Sequence, residues 1–529
     1  MASPKEQTFA VGPFKGARNT NEPFDDESSE LLTSCLNVYF PDPYSGCAAY
    51  ARPGFSQPTS VAGAANGGQA VYSHTADNGT NYNFIFSAGK VFRWSTDLTS
   101  APVDVTPVGV TIAAGKFVYV TSLNDSIIVN DGVNEPWIGT NLSAAPITGT
   151  YIDYDGAGVA WSAYGQPVIY TGAVFFILQS VGGVAARTTI AWSEPNQPSV
   201  GYQQTDYDNA WTLTQTSSSP LYALAATNDA LYYSRDLSWG AITGAPNINF
   251  RNTATHDVVS ANVGCTSPAT VRTFLNYIYF ADQNGRPWRF PVGGAPEPIW
   301  LQSRTNFDAA SGTVPTTVAW AVIEPNLNLY LAFSRAGSGS STGTPTFAFA
   351  FDANTGRFAG TWTVGSPVAL DIGGLVRDAV GATRFAVLQE SSGGLANVHY
   401  LNDLSAGIWQ DGGNTARVLL QTGVFGADGS RTFRAGGQVR VIQKGGASVN
   451  LIVTDTGTGA LGTSQNLTRA PNGIGGNSVA GRRVVFSMET PNSRGVRLLV
   501  SPTTTTEQWV CYRIEMDAAE GGLATVEDY

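Results

Sequence analysis

Charged residues are scarce in this chain of 529 residues. Asp, Glu, Lys and Arg together make up 13% of it, about half of the ~25% found in an average soluble domain. Disordered chains combine high charge with few aromatic residues, whereas 11% of these residues are aromatic. Helical bundles need abundant Glu, Lys, Ala and Leu. The scarcity of charge therefore argues against both classes.

Lysine, cysteine and histidine are also rare, with five, four and three residues respectively. No clustered basic run is present of the kind that binds duplex phosphates. Cys35, Cys47, Cys265 and Cys511 contain no C-x-x-C pair, so we expect buried, reduced thiols rather than disulfides or a zinc site. No G-x-S-x-G nucleophile elbow is present either. These scarcities leave few options for a nucleophilic or metal-dependent site, and the sequence assigns no catalytic, cofactor-binding or metal-binding residue and no cofactor.

Long apolar runs are absent as well. The longest, Ala173–Leu178, is far shorter than the ~20 residues of a membrane-spanning helix. The Met1–Ala10 segment has no apolar core, unlike a secretory signal. We therefore expect no membrane insertion, and synthesis in a cytoplasm.

What the sequence does contain is many short apolar runs bounded by Gly, Asn, Asp and Pro. Tyr82–Phe86 and Val91–Trp94, for example, flank a Ser-Ala-Gly-Lys turn, and Phe117–Thr121 and Ser126–Asn130 flank Ser-Leu-Asn-Asp. Such runs with turn residues between them are typical of short antiparallel strands. The chain, with 59 Gly, is predicted to be all-β.

Tryptophans recur along the first four-fifths of the chain, at Trp94, Trp137, Trp192, Trp239, Trp288 and Trp362. Most of the intervals are about 40–55 residues, the length of a four-stranded propeller blade. We predict a β-propeller of about six to eight blades over residues 60–412, with these tryptophans in the core between blades. The longer last interval suggests an additional blade around Leu301–Trp320. An exposed aromatic platform for sugar stacking is the alternative.

The C-terminal part differs in pattern. Val510, Tyr512, Ile514 and Met516 alternate with Cys511, Arg513 and Glu515, as in a half-buried strand. Residues 413–529 are predicted to form a β-sandwich-like domain, which a short polar linker at Asp411–Thr415 connects to the propeller. Ala518–Tyr529 is predicted to be an acidic surface tail. Within residues 1–59, we predict that the strand Leu36–Phe40 completes the last blade near Asn397–Trp409, since a propeller must hide its sheet edges.

Acidic residues stand mainly at predicted hairpin turns, where side-chain turn chemistry explains them. They are Asp125, Asp131, Asp153, Asp155, Asp229, Asp236 and Asp352. Two such carboxylates at a glycosidase separation would indicate an enzyme, but sequence spacing does not show that distance. Ser234–Trp239 approaches a sialidase Asp-box without its Gly, and Asp352–Gly356 is half of a calcium loop. Asp131–Trp137 is similarly ambiguous, and a plain turn is favoured at each.

Three N-terminal segments carry a more specific pattern. Phe14-Lys-Gly-Ala-Arg-Asn-Thr-Asn-Glu-Pro23 precedes the strand containing Leu36-Asn-Val38, and Arg52-Pro-Gly-Phe55 ends the next strand. This order resembles the start of tail nozzle (tail tube or stabilisation) proteins of short-tailed bacteriophages. Asp131–Trp137, Ile190–Pro198 and Phe351–Phe358 resemble later blade turns of that family.

The resemblance implies a structural virion protein without enzymatic activity, located in the tail and synthesised in a bacterial host. Such proteins form a ring, usually of six copies, that continues the DNA channel below the portal and adaptor and holds fibres or spikes. Genomic DNA would pass through without sequence-specific binding. A net charge of −11 per copy suggests an acidic lumen that repels phosphate, so that DNA slides.

Two other functions remain open at this stage. A carbohydrate- or receptor-binding tail module would expose an aromatic cluster at one mouth of the propeller. A glycosidase-type propeller enzyme would place a pair of carboxylates in a cleft.

Overall fold

A computed structural model describes most of the chain, although several loops and the termini fall outside the described part. The described residues are 6–12, 14, 16–17, 31–32, 34–41, 48–56, 59–65, 67–203, 208–213, 219–247, 249–303, 307, 317–335, 347–364, 370–390, 395–402, 410–411, 414–415, 418–426, 431–434, 436–444, 448–455, 465–469, 482–489, 495–503 and 508–523.

Strands dominate the described residues, and the helical elements with described bounds are Phe250–Thr253 and the 3-10 turns Pro268–Thr270 and Ile299–Ser303. Seven successive antiparallel sheets follow one another along the chain. Blade 1 contains Gly68–Thr75, Asn81–Ser87, Lys90–Trp94 and Val103–Asp104, and blade 2 contains Tyr119–Leu123, Ser126–Asn130, Trp137–Thr140 and Thr148–Tyr151. Blade 3 contains Trp161–Tyr170, Ala173–Val181 and Thr189–Glu194, and its fourth position is shared by Gln197–Gly201 and Ala210–Thr212. Blade 4 contains Ala223–Ala226, Leu231–Ser234, Trp239–Thr243 and Thr255–Ser260.

Blades 5 to 7 follow the same plan. Blade 5 contains Arg272–Phe274, Tyr277–Ala281, Pro287–Pro291 and Glu297–Pro298. Blade 6 contains Thr317–Glu324, Leu329–Arg335, Phe347–Asp352 and Phe358–Thr363. Blade 7 contains Leu370–Arg377, Thr383–Glu390, Leu395–Tyr400 and Thr59–Ala65. A further two-residue strand, Val184–Ala185, pairs with the second strand of blade 3.

The first strands of the seven sheets lie next to one another in chain order, and the first strand of blade 7 contacts that of blade 1. This circular order defines a seven-bladed β-propeller whose first strands surround the axis. Buried residues on both faces of each blade fill the space between neighbours, as in the cluster that joins Phe84 and Val91 of blade 1 to Ile127 and Trp137 of blade 2. The predicted all-β propeller is confirmed.

The ring is closed by a strand from the N-terminal region. Thr59–Ala65 pairs antiparallel with Leu395–Tyr400 and supplies the outer strand of blade 7. Just before it, Phe55 forms a bridge with Leu401. The prediction that Leu36–Phe40 closes the ring was therefore wrong. Thr59–Ala65 consists mostly of small residues with weak strand propensity, so the sequence pattern did not reveal it.

Five of the six recurrent tryptophans occupy the third strands of blades 1 to 5. The third strand of blade 6, Phe347–Asp352, lacks Trp, and Trp362 lies in the fourth strand of that blade. The prediction of a separate blade around Leu301–Trp320 was wrong, because this stretch contains the turn Ile299–Ser303 and the start of the first strand of blade 6. The long last interval reflects a change of strand rather than a hidden sheet.

A β-sandwich follows the propeller, as predicted, and it also takes up N-terminal strands. One sheet contains, in order, Ser34–Leu36, Leu419–Gly426, Gly495–Pro502, Val449–Asp455 and Gln465–Arg469. The other contains Arg482–Glu489, Gly436–Lys444, Val510–Leu523, Ala49–Ala51 and Val38–Tyr39, and Glu6–Val11 and Arg431–Arg434 also pair with Val510–Leu523. Buried Leu451, Leu498, Val441 and Phe486 belong to one core cluster.

The last long strand corrects the prediction of a surface tail at Ala518–Tyr529. Strand Val510–Leu523 continues past Met516, and its end pairs with Glu6–Val11 and Arg431–Arg434. Residues 524–529 lie outside the described part. At the predicted linker Asp411–Thr415, Gln410–Asp411 pairs with Asn414–Thr415.

Ring closure leads to a prediction at Val61, which is fully buried in the closing strand. Val61→Asp should lower the free energy of unfolding by about 3 kcal/mol or more, since an unpaired carboxylate must be buried or blade 7 must open. The control is Val103→Asp, because Val103 lies in the outer strand of blade 1 and is 54% exposed. That change should stay within about 0.5 kcal/mol. Chemical denaturation of both variants provides the test, and equal losses would contradict the role of this strand.

Candidate functional site

Two of the three N-terminal segments that carry the family resemblance meet in the fold. Val38–Tyr39 pairs antiparallel with Ala49–Ala51, which places Asn37 beside Arg52. The backbone N–H of Arg52 donates to the Asn37 carbonyl at 3.0 Å. The segment Phe14–Pro23 is described only at residues 14, 16 and 17.

Arg52 is 1% exposed, and its guanidinium links three parts of the chain. Nε donates to Oδ1 of Asn37 at 3.0 Å, Nη1 to the Pro53 carbonyl at 2.8 Å and Nη2 to the Thr363 carbonyl at 2.6 Å. The guanidinium carbon also lies 5.0 Å from the centre of the Phe55 ring, within the range of a cation–π contact. A single buried cation thus fastens the N-terminal segment to the outer strand of blade 6.

Asn37 makes the complementary contacts from the other side. Its φ angle is 56°, a left-handed conformation that Asn tolerates better than other non-glycine residues. Its backbone N–H donates to the Thr361 carbonyl at 2.8 Å. Its Oδ1 accepts from the Thr363 N–H at 2.9 Å, and its Nδ2 donates to Thr363 Oγ1 at 3.0 Å. The side chain therefore continues the hydrogen bonding of blade 6 where the strand itself turns away.

Close backbone approach completes this arrangement. Leu36 pairs with Thr361 of blade 6 on one side and with Leu419 of the sandwich on the other, so one continuous sheet runs from the propeller into the sandwich. Gly360 has φ +120°, and a Cβ there would lie 2.7 Å from the Cys35 carbonyl oxygen. The indole N–H of Trp362 donates to the Val38 carbonyl at 2.8 Å. We call Asn37, Arg52, Trp362 and Thr363 the joint.

The chemistry of the joint is that of a rigid attachment. Trp362 is 2% exposed and Asn37 is fully buried, and buried polar groups that are hydrogen-bonded specify one arrangement. The joint sets the orientation of the sandwich relative to blade 6. Sequence reading marked Asn37 and Arg52 through the resemblance alone, and nothing in the pattern indicated their contact with Thr363, which is more than 300 positions away.

The three histidines lie on three different blades. His74 is in blade 1 and stacks on Tyr82; His399 in blade 7 is hydrogen-bonded to Gln389 Oε1 at 2.5 Å. His256 in blade 4 stacks on Tyr233 and is hydrogen-bonded to its hydroxyl. Burial lowers the pKa of His256 and that of His74, against the opposing effect of nearby carboxylates. The structure thus does not bring the histidines together.

The cysteines are buried free thiols, as predicted, at the three described positions Cys35, Cys265 and Cys511. Burial raises the pKa of Cys265 and of Cys511 to about 12. Such thiols are not nucleophiles at neutral pH. Cys47 lies outside the described residues.

Four of the seven turn carboxylates that the sequence pattern singled out accept hydrogen bonds within their own turns: Asp131, Asp153, Asp155 and Asp352. Asp125 instead accepts from the Asp77 N–H. Asp131 Oδ1 accepts from the N–H groups of Val133 and Asn134, and Asp352 Oδ1 from those of Asn354 and Thr355. Asp155 Oδ1 accepts from Ala157 and Val159 N–H, contacts that lower its pKa. Among the residues that the structure describes, no group of three or more His, Cys, Asp or Glu is arranged to hold a metal ion.

The recurrent tryptophans lie between blades rather than on an exposed platform. Trp94, Trp192 and Trp239 are at most 1% exposed, and Trp137 and Trp362 are 2% exposed. Trp288 is half-buried. Their core location is confirmed, and with it the main sign of a sugar-stacking platform is lacking at these positions.

Glu324 is a buried carboxyl that the sequence pattern did not reveal. It ends the first strand of blade 6, is 1% exposed, and accepts from the Leu327 N–H at 2.6 Å and from Asn326 Nδ2 at 3.1 Å. Asn326 also donates to the Thr383 carbonyl of blade 7 at 2.8 Å. Burial raises the pKa of Glu324 to about 7, although these hydrogen bonds and the charge of Arg384 oppose it.

No protein family profile and no curated protein matches this chain. Among solved structures, the chain is similar to a complex of BBS1N with ARL6DN, at 10% identity and a TM-score of 0.41, covering 66% of this chain and 98% of the other. It is also similar to the AfRom2 CNH domain, at 11% identity and a TM-score of 0.34, covering 66% of this chain and 99% of the other. A third similar structure is the computationally designed Ika8 protein, at 11% identity and a TM-score of 0.35, covering 65% of this chain and 100% of the other. These similarities concern fold alone and carry no inference about function. Within the described chain, no helix has the length and apolar character needed to cross a membrane.

The joint is tested by a double-mutant cycle. Arg52→Met should lower the free energy of unfolding by about 2–4 kcal/mol, because it removes the buried guanidinium donors of Asn37 Oδ1 and of the Pro53 and Thr363 carbonyls. Combined with Asn37→Ala, it should show a coupling energy of about 1–3 kcal/mol. Arg251→Met is the matched control, since Arg251 is 45% exposed and pairs with Asp208 at the surface. Additive losses at Arg52 and Asn37 would refute the direct link.

Glu324 predicts a pH dependence of stability. The folded carboxyl holds its proton up to about pH 7, whereas the unfolded one ionises near 4.3. Its contribution to stability is therefore present at low pH and is lost as pH rises through this window, by about 3 kcal/mol. Glu324→Gln should stabilise the protein at pH 8 and change little at pH 5. Chemical denaturation of the wild type and of Glu324→Gln at pH 5 and pH 8 tests this, and Asp229→Asn, at an exposed carboxyl, is the control. If the stability difference between Glu324→Gln and the wild type is the same at both pH values, the predicted pH dependence is wrong.

Proposed function

We propose that this chain is a structural virion protein that forms a ring at the distal end of a short phage tail. The ring continues the DNA channel below the portal and adaptor and anchors fibres or spikes. The chain acts without enzymatic activity, cofactor or metal, and as a homo-oligomer of about six copies in the virion tail.

One observation carries the proposal. The residues that bear the resemblance to tail nozzle proteins, Asn37 and Arg52, are the ones that attach the sandwich to blade 6. A tail component transmits load between partners, and a sheet that continues from blade 6 into the sandwich through Leu36 gives the chain one rigid body for that purpose. The low content of Lys also suits ordered subunit contacts, since Lys is depleted at interfaces.

The placement of the other chemical groups favours this function over the two alternatives. The recurrent tryptophans are buried or half-buried, which does not favour a sugar-binding platform. Asp131, Asp155 and Asp352 are engaged in their own turns, an arrangement that does not favour a pair of glycosidase carboxylates.

The proposal is tested by assembly. Light scattering after gel filtration and negative-stain microscopy should show rings of the full-length chain, either alone or on addition of the portal and adaptor proteins of the same phage. Arg52→Met should reduce ring formation because the sandwich loses its fixed orientation, whereas Arg251→Met should not. A stable monomer that ignores portal and adaptor and binds or cleaves glycans would overturn the proposal.

The lumen of such a ring carries a second expectation. With a net charge of −11 on each copy, we expect an acidic wall along which DNA slides. A reconstructed ring with a mainly basic lumen would contradict this expectation without affecting the proposal that the protein is structural.

A further inference from the structure

The propeller axis contains a channel of about 550 Å³. All seven blades contribute their first strands to its wall. Among the strands that the structure describes, each of these first strands pairs on its outer side alone, so backbone groups of the inner edges face the axis. The volume lies in the range of small-molecule sites, roughly 300–1,000 Å³.

Most residues in the channel wall are aliphatic, including Val118, Val168, Leu224 and Ile372. Arg272 is the one charged side chain among the described residues that line the channel. A guanidinium has five N–H donors, and the hydrogen bond formed by this one is from Nη1 to the Val271 carbonyl at 2.6 Å. In the described part of the chain, its charge faces no carboxylate partner in the channel wall.

Tyr119 reaches the channel from a distant blade. It begins the first strand of blade 2, whereas Arg272 begins the first strand of blade 5. Burial raises the pKa of the Tyr119 phenol, and the charge of Arg272 acts to lower it. Both residues line the channel, and they belong to blades that are not neighbours in the propeller.

A cation in an apolar channel without a counter-charge is costly, because buried charges are normally paired. An oxyanion would neutralise Arg272 and accept its free N–H donors, since guanidinium matches carboxylate and phosphate geometry. The aliphatic wall around it would take up an apolar group.

We propose that the axial channel binds a small molecule that carries an oxyanion on an apolar body. Arg272 holds the oxyanion, Tyr119 offers its hydroxyl from the opposite blade, and the aliphatic wall contacts the apolar body. The site lies within one chain and does not depend on ring assembly or on the proposed tail function.

Isothermal titration of the full-length chain with defined probes tests the site. At constant ionic strength in chloride, hexanoate should bind at least tenfold more tightly than 1-hexanol, which has the same apolar body without the charge. Butyrate should bind more weakly than hexanoate, by about fourfold for each methylene removed. Arg272→Gln should reduce hexanoate binding to the level of hexanol, and Arg272→Lys should retain it within about tenfold.

Two further variants keep the test decisive. Arg251→Gln, at an exposed arginine outside the channel, should leave hexanoate binding unchanged. If Arg272→Gln does not fold, Tyr119→Phe should still weaken hexanoate binding by about threefold or more. Equal binding of hexanoate and hexanol to the wild type would overturn the proposal. If the protein binds inorganic phosphate but does not bind hexanoate, the ligand has no apolar body and that part of the proposal is wrong.

Discussion

The need to pair or cover strand edges organises this molecule more than any other constraint. A circular array of sheets must be joined at one point, and Thr59–Ala65 makes that join by pairing with Leu395–Tyr400. The outer edge of blade 6 is also covered, by Ser34–Leu36, which then continues into the sandwich through Leu419–Gly426. Both devices come from the N-terminal region, so 60-odd residues at one end of the chain hold the propeller closed and the sandwich attached.

The propeller could be predicted because its signals are local. Turn residues follow each short strand. Tryptophan recurs because the third strands of blades 1 to 5 pack a large side chain against a neighbouring blade, at Trp94, Trp137, Trp192, Trp239 and Trp288. The closing strand could not be predicted, because its pairing depends on a partner more than 300 residues away and its own residues are small. Register is also a tertiary property. Simple alternation places Cys511 on the same face as Arg513, but a bulge opposite Ile442 and Gln443 shifts the alternation, and Cys511 is fully buried while Arg513 is exposed.

The joint was indicated only in part by the sequence. Asn37 and Arg52 stood out through a resemblance between short segments, yet their role follows from hydrogen bonds to Thr363, which no spacing in the chain reveals. Glu324 and Arg272 were not singled out, because an isolated acidic or basic residue has no sequence signature. Only the packing of neighbouring blades around Glu324, and the meeting of first strands around Arg272, gives these residues their unusual surroundings.

The pairing of the first strands of the chain with the last ones has a consequence for biosynthesis. Thr59–Ala65 leaves the ribosome early, but Leu395–Tyr400 is made more than 300 residues later, and Glu6–Val11 waits for the strand Val510–Leu523. Contacts of such high sequence separation form slowly and leave strand edges exposed in the meantime. In each of blades 1 to 6, the described strands of the blade are consecutive in the chain. These blades can therefore form one after another during synthesis. The nascent propeller is then an open arc, and it becomes a ring only when blade 7 emerges and pairs with Thr59–Ala65, which was made before blade 1.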